Sequence, residues 1–214
     1  MAEPIGKLEK PEAEKFREKR KLFFVPLLYA GEGVPQELEE KLDRYWSEVR
    51  EQLRKLEEKL GRAKRIFHEL IYSPGEEGLK ALEKLNARSY QLAKAECEDG
   101  AELWPIEERE LTEEWLDWQR CLLAGLISEK ARKRVLDFYL EAERKRYEHM
   151  ARRINEGLKE REVGILFIRE GHRIQFPADV EVFSIYPPSL DEIHRFLQER
   201  AERESGEGGQ QPSS

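Results

Sequence analysis

Apolar residues recur at helical spacing over much of the chain. After Pro35, leucine, tyrosine and valine side chains fall every three or four positions as far as Leu60, with charged residues between them. This stripe predicts one long amphipathic helix that begins after Pro35 and is broken at Gly61. The segment 63–72, AKRIFHELIY, keeps a similar spacing, so we expect a helical pattern to continue to the turn at 73–75.

Three further helices follow from the same periodicity. They are predicted over 77–98, 113–127 and 129–161. Ser128 is a suitable N-cap for the last of these, because a serine side chain can accept a hydrogen bond from the first turn. The apolar stripe of this helix is interrupted near Arg146.

Three runs are apolar without helical spacing, at 21–30, 163–168 and 180–186, and they predict strands that are buried on both faces. Pro26 lies inside the first run and cannot donate to a strand pairing, so we expect a bulge or a sheet edge there. After the third run, the segment PPSLDE predicts a final helix with Ser189 as N-cap and Glu192 in its first turn.

These elements predict an α/β fold. We expect a small, mostly parallel sheet of about three strands, a large helical insertion over 36–161 and a C-terminal helix. The domain should span 21–203, after a loose lead-in at 1–20 and before a disordered tail at 204–214, which consists of Gly, Gln, Ser, Pro and Glu. Strand order and direction are left open.

Composition excludes some classes of function. The formal net charge is −7 at pH 7, which argues against a general nucleic-acid binder. The 214 residues include 39% charged residues and two cysteines, Cys97 and Cys121, a pattern that resembles heat-adapted proteins and gives no disulfide framework. No apolar run is long enough for a membrane span, so we expect a soluble, cytoplasmic protein without a membrane partner.

Charge is unevenly distributed along the chain. Residues 96–117 contain ten acidic residues against one base, Arg109, whereas residues 128–161 contain eleven Lys or Arg against seven acids. Such runs are usually solvated helix faces. The contrast between these neighbouring segments also predicts that they interact, within one chain or between two chains.

A Gly-His pair follows the second predicted strand. Arg169, Glu170, Gly171 and His172 come directly after 163–168, and ligands of parallel sheets gather at the carboxyl ends of the strands. His172 could transfer a proton, Glu170 could orient its ring and Arg169 could bind an anion, with Gly171 leaving room for the ligand. The alternative is a simple turn, in which Gly171 supplies a positive φ and His172 is a polar turn residue.

Other candidate groups carry weaker signals. His68 and Glu69 lack the second histidine of a zinc-protease helix, and His149 and His194 lie on charged helices. We therefore predict no metal site, and no cofactor can be named. Three tryptophans, Trp104, Trp115 and Trp118, are expected in the core rather than in a cofactor pocket.

Residues 144–172 resemble the closing part of the TraB/PrgY-like family. There, a helix containing Arg and an MA..I segment leads into a strand and a Gly-x-x-His loop, and a metal-dependent peptidase-like activity is proposed for some relatives. The family's first loop glycine is Arg169 here, and no first Gly-x-x-His segment follows the strand at 21–30. The resemblance thus implies a shared strand-loop-helix architecture over these residues.

Three functions are compatible with these patterns. The leading hypothesis is a domain that binds a small ligand, such as a small anion, or a protein partner without catalysis, because no complete set of nucleophile, base and oxyanion donors is present. The second is a hydrolase-like enzyme centred on the Gly171–His172 loop, assisted by Glu170 or a distant carboxylate. The third is a structural helical protein that forms homo-oligomers.

Overall fold

Five parallel strands form one sheet in the computed structural model, which describes residues 19–31 and 33–207. They are β1 (Arg20–Pro26), β2 (Ala63–His68), β3 (Glu102–Leu103), β4 (Val163–Ile168) and β5 (Val180–Ser184). Their order is β3-β2-β4-β1-β5, and every pairing is parallel. The α/β class with a parallel sheet is therefore confirmed, but the sheet has five strands rather than about three.

Six helices connect and follow these strands in the described part of the chain. They are α1 (Gln36–Leu60), α2 (Gly75–Leu85), α3 (Ala87–Glu98), α4 (Arg109–Leu123), α5 (Glu129–Gly157) and α6 (Pro188–Glu207). Within the residues that the structure describes, no helix is long and apolar enough to cross a membrane.

The segment after Gly61 is a strand and not a continued helix. Ala63–His68 forms β2, between β3 and β4. Because neighbours flank β2 on both sides and its second half is buried, its side chains lack the alternation that identifies a strand. The predicted insertion at 36–161 is thus not purely helical, since it contributes β2 and β3 to the sheet.

β1 lies in the interior of the sheet, between β4 and β5. Pro26 is the last residue of the strand, so its missing N–H interrupts no pairing and the expected bulge or edge is not found there. A register irregularity occurs instead in β2, between Ala63 and Arg65. The chain continues past Pro26 with a hydrogen bond from the Leu27 N–H to the Ile168 carbonyl, 2.9 Å long.

Helix α1 confirms the first predicted helix, with Pro35 as its N-cap residue and Gly61 at its end. The predicted helix over 77–98 is divided into α2 and α3 at Asn86, whose backbone is extended (φ −157°). The Asn86 side chain accepts a hydrogen bond from the Ser89 N–H and donates one to the Leu28 carbonyl. Asn86 therefore caps α3 and ties it to the chain that follows β1.

Apolar side chains cover both faces of the sheet. One core contains residues of α1, α2, α3 and α6 such as Val49, Leu82 and Ile193. The other lies beneath the second half of α5, where Met150 and Ile154 pack against the sheet. This two-sided burial makes the carboxyl edge of the sheet the place where polar side chains collect.

The first half of α5 packs against α4 and extends beyond the core. The first buried residue of the helix is Ala142, so residues 129–141 form about 20 Å of helix outside the core. The rings of Trp118 on α4 and Phe138 on α5 stack with centroids 4.9 Å apart. Ser128 is the N-cap of α5, as predicted, and accepts a hydrogen bond from the Ala131 N–H.

The C-terminal helix begins at Pro188, two residues earlier than predicted. Ser189 lies in the first turn of α6 rather than at its N-cap, and its N–H and hydroxyl both donate to Oε2 of Glu48, at 3.2 and 2.6 Å. Most of the predicted lead-in and tail fall outside the described residues. Arg20 belongs to β1, and α6 runs to Glu207.

Candidate functional site

Two charged residues meet where neighbouring strands end. Glu69 follows β2 and Arg169 follows β4, and these strands are paired in the sheet. Arg169 donates from its side-chain Nε to Oε1 of Glu69 at 2.7 Å and from its backbone N–H to Oε2 at 3.2 Å. Parallel pairing therefore places a fully buried carboxylate against a partly exposed guanidinium.

A second arginine, Arg146, is buried and joins Glu69 to another carboxylate. Nη2 of Arg146 on α5 donates to Oε1 of Glu69 at 3.0 Å, and Nε of the same side chain donates to Oε2 of Glu107 at 3.0 Å. Glu107 is held in place by the Leu70 N–H and the Thr112 hydroxyl, each at 3.0 Å. Glu69, Glu107, Arg146 and Arg169 are called the edge cluster below.

The edge cluster balances its own charge, with two carboxylates and two guanidinium groups. Burial alone would lower the pKa of Arg146, but hydrogen bonds and charge from Glu107 and Glu69 outweigh it and raise the pKa of this guanidinium above its ordinary value. Arg146 thus stays charged at any physiological pH.

Trp115 lies against both arginines. Its ring centre is 4.4 Å from Cζ of Arg146 and 4.5 Å from Cζ of Arg169, and its side chain is buried. A guanidinium that packs on an aromatic face is attracted by the ring and kept in a fixed plane. Trp115 is a core residue, as predicted, and it also orients the edge cluster. Trp104 and Trp118, which were also expected in the core, are only partly buried.

Tyrosine hydroxyls lie within electrostatic reach of the cluster. Desolvation and the charge of Glu69 raise the pKa of Tyr29, which follows β1 at the same sheet edge. Burial raises the pKa of Tyr147 to about 12, although Arg146 and Arg169 act in the opposite direction. These hydroxyls are therefore neutral and can donate hydrogen bonds to an acceptor near the cluster.

The edge cluster retains donors for a further acceptor. Nη1 of Arg146 is buried and has no hydrogen-bond partner among the described residues. The side chain of Arg169 is 32% exposed, and its hydrogen bond to Glu69 uses Nε. Because an unpaired buried donor is costly, Nη1 of Arg146 is a place where a bound acceptor would stabilise the protein.

A groove of about 450 Å³ lies beside the second half of α5. Tyr147 and Ala151 line it from the helix, and Arg173 and Gln175 line it from the loop between β4 and β5. The ring of Tyr147 is also 5.8 Å from Cζ of Arg146. Tyr147 therefore lies between this groove and the edge cluster.

Gly171 and His172 form a turn whose histidine packs inward. Gly171 has a φ of +72°, and no atom lies within 4 Å of the position of an added Cβ. The His172 ring makes edge-to-face contacts with Phe24 at 4.9 Å and with Phe176 at 5.9 Å. Desolvation lowers the pKa of His172, while the charge of Glu69 acts to raise it.

The other predicted site residues have different partners. Oε2 of Glu170 lies 2.7 Å from Nε2 of His194, so Glu170 pairs with α6, whereas the carboxylate whose charge acts on His172 is Glu69. His68 is fully buried, with Nδ1 2.6 Å from the Glu69 carbonyl and Nε2 3.0 Å from the Ser89 hydroxyl. Burial lowers the pKa of His68 to about 4, so this histidine is neutral.

Sequence reasoning found Arg169 but not its partners. Arg146 was only an interruption of an apolar stripe, and Glu107 was one of many acids in the 96–117 segment. The predicted attraction between this segment and the basic helix is present within the chain as the pairs Arg146–Glu107 and His149–Glu108. The signal that could have found Glu69 is a charged residue placed directly after an apolar strand. Glu107 has no such signal, because it lies four residues after the end of β3.

Comparisons of the chain with protein-family models, with curated proteins and with solved structures found no match. The described residues contain no group of three or more His, Cys, Asp or Glu side chains placed to hold a metal ion.

Proposed function

We propose that this α/β domain binds a small anionic ligand at the carboxyl edge of its sheet, without turning it over. The observation that supports this most directly is the buried, unpartnered Nη1 of Arg146 beside the partly exposed Arg169. A carboxylate or phosphate group matches the donor geometry of a guanidinium, and two guanidinium groups on one aromatic ring can hold such a group in a fixed orientation.

The surroundings of the edge cluster support a small ligand rather than a large one. Glu69 and Glu107 already neutralise the two arginines, so the ligand is held by the remaining hydrogen-bond donors and by the hydroxyl of Tyr29. The position agrees with the general location of ligands in parallel sheets. The segment that resembles the TraB/PrgY-like family contains Arg146, Arg169 and His172, and from that family we propose only a shared strand-loop-helix arrangement.

The test is a thermal-shift series with inorganic phosphate, sulfate, acetate and citrate as probes. We expect at least one anion to raise the melting temperature of the wild-type chain, since a ligand that binds the native state stabilises it. The anion should no longer do so in Arg169→Gln. Arg173→Gln is the matched control, because Arg173 is an exposed arginine on the same loop.

Arg169→Gln also changes the melting temperature of the ligand-free protein, because it removes a hydrogen bond to Glu69. The deciding measurement is therefore the shift in melting temperature that each anion causes. If none of the four anions shifts the wild-type melt, or if Arg169→Gln and Arg173→Gln respond as the wild type does, anion binding at the edge cluster is wrong.

A second candidate is the hydrolase-like enzyme centred on His172. It is supported by the half-buried position of His172 at the carboxyl edge of the sheet, where burial lowers the pKa of its imidazole and the charge of Glu69 acts to raise it. Glu69, rather than the predicted Glu170, is then the carboxylate that assists His172. Hydrolysis of p-nitrophenyl acetate and p-nitrophenyl phosphate by wild type and His172→Gln tests this alternative, and turnover that is absent or equal in both proteins excludes it for these substrate classes. Cytoplasmic location and homo-oligomer formation stay predictions.

A further inference from the structure

The connection between α4 and α5 exposes aliphatic side chains at the end of a projecting helical hairpin. Leu123 is 80% exposed and Ile127 is fully exposed at 103%. They lie at either end of a short connection that contains Gly125, whose φ is +72°. Because these two large aliphatic side chains are so exposed at a convex tip, they contribute almost nothing to the core of the chain itself.

Basic residues surround this tip. The segment 120–134, RCLLAGLISEKARKR, contains five Lys or Arg and one Glu, in a chain whose formal net charge is −7. Arg120 and Arg132 pair with Asp117 and Glu129. Lys130, Lys133 and Arg134 are exposed, have no ion-pair partner among the described residues and share one face of α5 by their helical spacing.

From the exposed aliphatic tip and its basic flank, we propose that the α4–α5 hairpin docks on the surface of an anionic lipid bilayer. Leu123 and Ile127 enter the boundary between headgroups and acyl chains, and Lys130, Lys133 and Arg134 contact lipid phosphates and carboxylates. This is contact with a bilayer surface and not a span, and it departs from the expectation that the protein has no membrane partner.

Charge and shape favour a bilayer over a second copy of the chain. Two hairpin tips that met about a two-fold axis would bring their basic flanks together, which is unfavourable. A tip with two largely exposed aliphatic side chains is also far smaller than the roughly 800 Å² that each partner contributes to a standard protein interface. An anionic bilayer, in contrast, accepts a convex apolar tip and attracts the basic flank, while the remaining acidic body is repelled and stays away from the surface.

Vesicle co-sedimentation of the full chain tests the proposal. Vesicles of phosphatidylcholine alone are compared with vesicles that also contain phosphatidylserine, and binding should require phosphatidylserine. The triple variant Lys130→Gln, Lys133→Gln, Arg134→Gln should bind about a hundred-fold more weakly, from about fivefold for each basic residue near an anionic surface. The double variant Leu123→Ser, Ile127→Ser should also lose at least about tenfold in binding.

Two control variants test whether a loss of vesicle binding is specific to the tip or follows from any loss of positive charge or of an exposed leucine. The variant Arg54→Gln, Lys55→Gln, Lys59→Gln removes the same charge from exposed positions of α1, and Leu197→Ser removes an exposed leucine of α6. Both controls should sediment as the wild type does. The proposal is overturned if the wild-type chain does not sediment with phosphatidylserine vesicles, or if the tip variants and the controls bind equally. It is also overturned if the tip variants only dissociate a dimer detected by light scattering.

Discussion

The guanidinium of Arg169 lies 2.7 Å from the carboxylate of Glu69, although the two residues are 100 positions apart in the chain. They meet because each is the first residue after a strand, and the two strands are parallel neighbours. Arg169 and Glu69 belong to the edge cluster, whose buried Arg146 should be important for stability.

Arg146→Met should strongly destabilise the protein. The substitution removes the only group that contacts both Glu69 and Glu107 among the described residues, and it leaves two buried carboxylates with less compensation. We expect a loss of about 3–5 kcal/mol in the free energy of unfolding, measured by urea denaturation. Arg144→Met, at an exposed position of the same helix, should change it by no more than about 0.5 kcal/mol. Equal effects of the two variants would contradict a structural role for the edge cluster.

Leu53→Ala should lower the free energy of unfolding more than Val135→Ala does, although both residues belong to predicted apolar stripes. Leu53 is 1% exposed in the core beneath α1, so its truncation leaves a cavity and should cost about 2–4 kcal/mol. Val135 lies half-buried on the part of α5 that precedes its first buried residue, Ala142, and its truncation should lower the free energy of unfolding by less than about 1 kcal/mol. Parallel urea denaturation curves of the two variants check the order, and a larger loss for Val135→Ala would show that the hairpin is part of the core.

His68 should make stability fall in acid. Its pKa is lowered from 6.5 to about 4 by burial, so the unfolded chain takes up this proton at a higher pH than the folded protein does. The contribution of neutral His68 is complete above pH 6.5 and should decrease by about 3 kcal/mol as the pH falls to about 4. His68→Gln should lose this slope, measured as the free energy of unfolding against pH, whereas His194→Gln at an exposed position should keep it.

Glu96 should make the stability of the protein fall as the pH rises, which is the opposite of the effect of His68. Desolvation and the neighbouring carboxylate of Glu57 raise the pKa of Glu96 from 4.5 to about 7. The folded protein therefore holds a proton that the unfolded chain has released, and this contribution is complete below pH 4.5 and is lost as the pH rises through about 7. Urea midpoints measured from about pH 5 to about pH 8 should fall less in Glu96→Gln than in wild type. The exposed Glu98→Gln is the control, and an unchanged slope in Glu96→Gln would refute the raised pKa of Glu96.

Gly171→Ala should lower the free energy of unfolding by about 1 kcal/mol through backbone strain alone. Its φ of +72° is unfavourable for a residue with a Cβ, while the space around it is open, so no steric clash adds to the loss. Gly31→Ala is the matched control because Gly31 also has open space but no positive φ, and it should be neutral or slightly stabilising. Thermal unfolding of both variants measures the difference, and a neutral Gly171→Ala would contradict the positive φ.

Helical periodicity and apolar runs were sufficient to predict α1, α5 and β4, because apolar residues recur at helical spacing in α1 and α5 and because β4 is buried along its whole length. β2 was missed since its apolar residues at 63, 66 and 67 imitate helical spacing when both neighbours of the strand are unknown. Without β2, Glu69 could not be recognised as a residue at a strand end. Arg146 is 77 positions from Glu69 and 39 from Glu107, and pairs so distant in the chain leave no local pattern.

The strand order has a consequence for synthesis of the chain on the ribosome. β1 is made first, but both of its neighbours in the sheet, β4 and β5, come more than a hundred residues later. At roughly 5–20 residues per second, the nascent β1 waits on the order of ten seconds with two unpaired edges and an apolar LFFV segment. A nascent chain arrested before residue 163 should therefore depend on a chaperone to remain unaggregated.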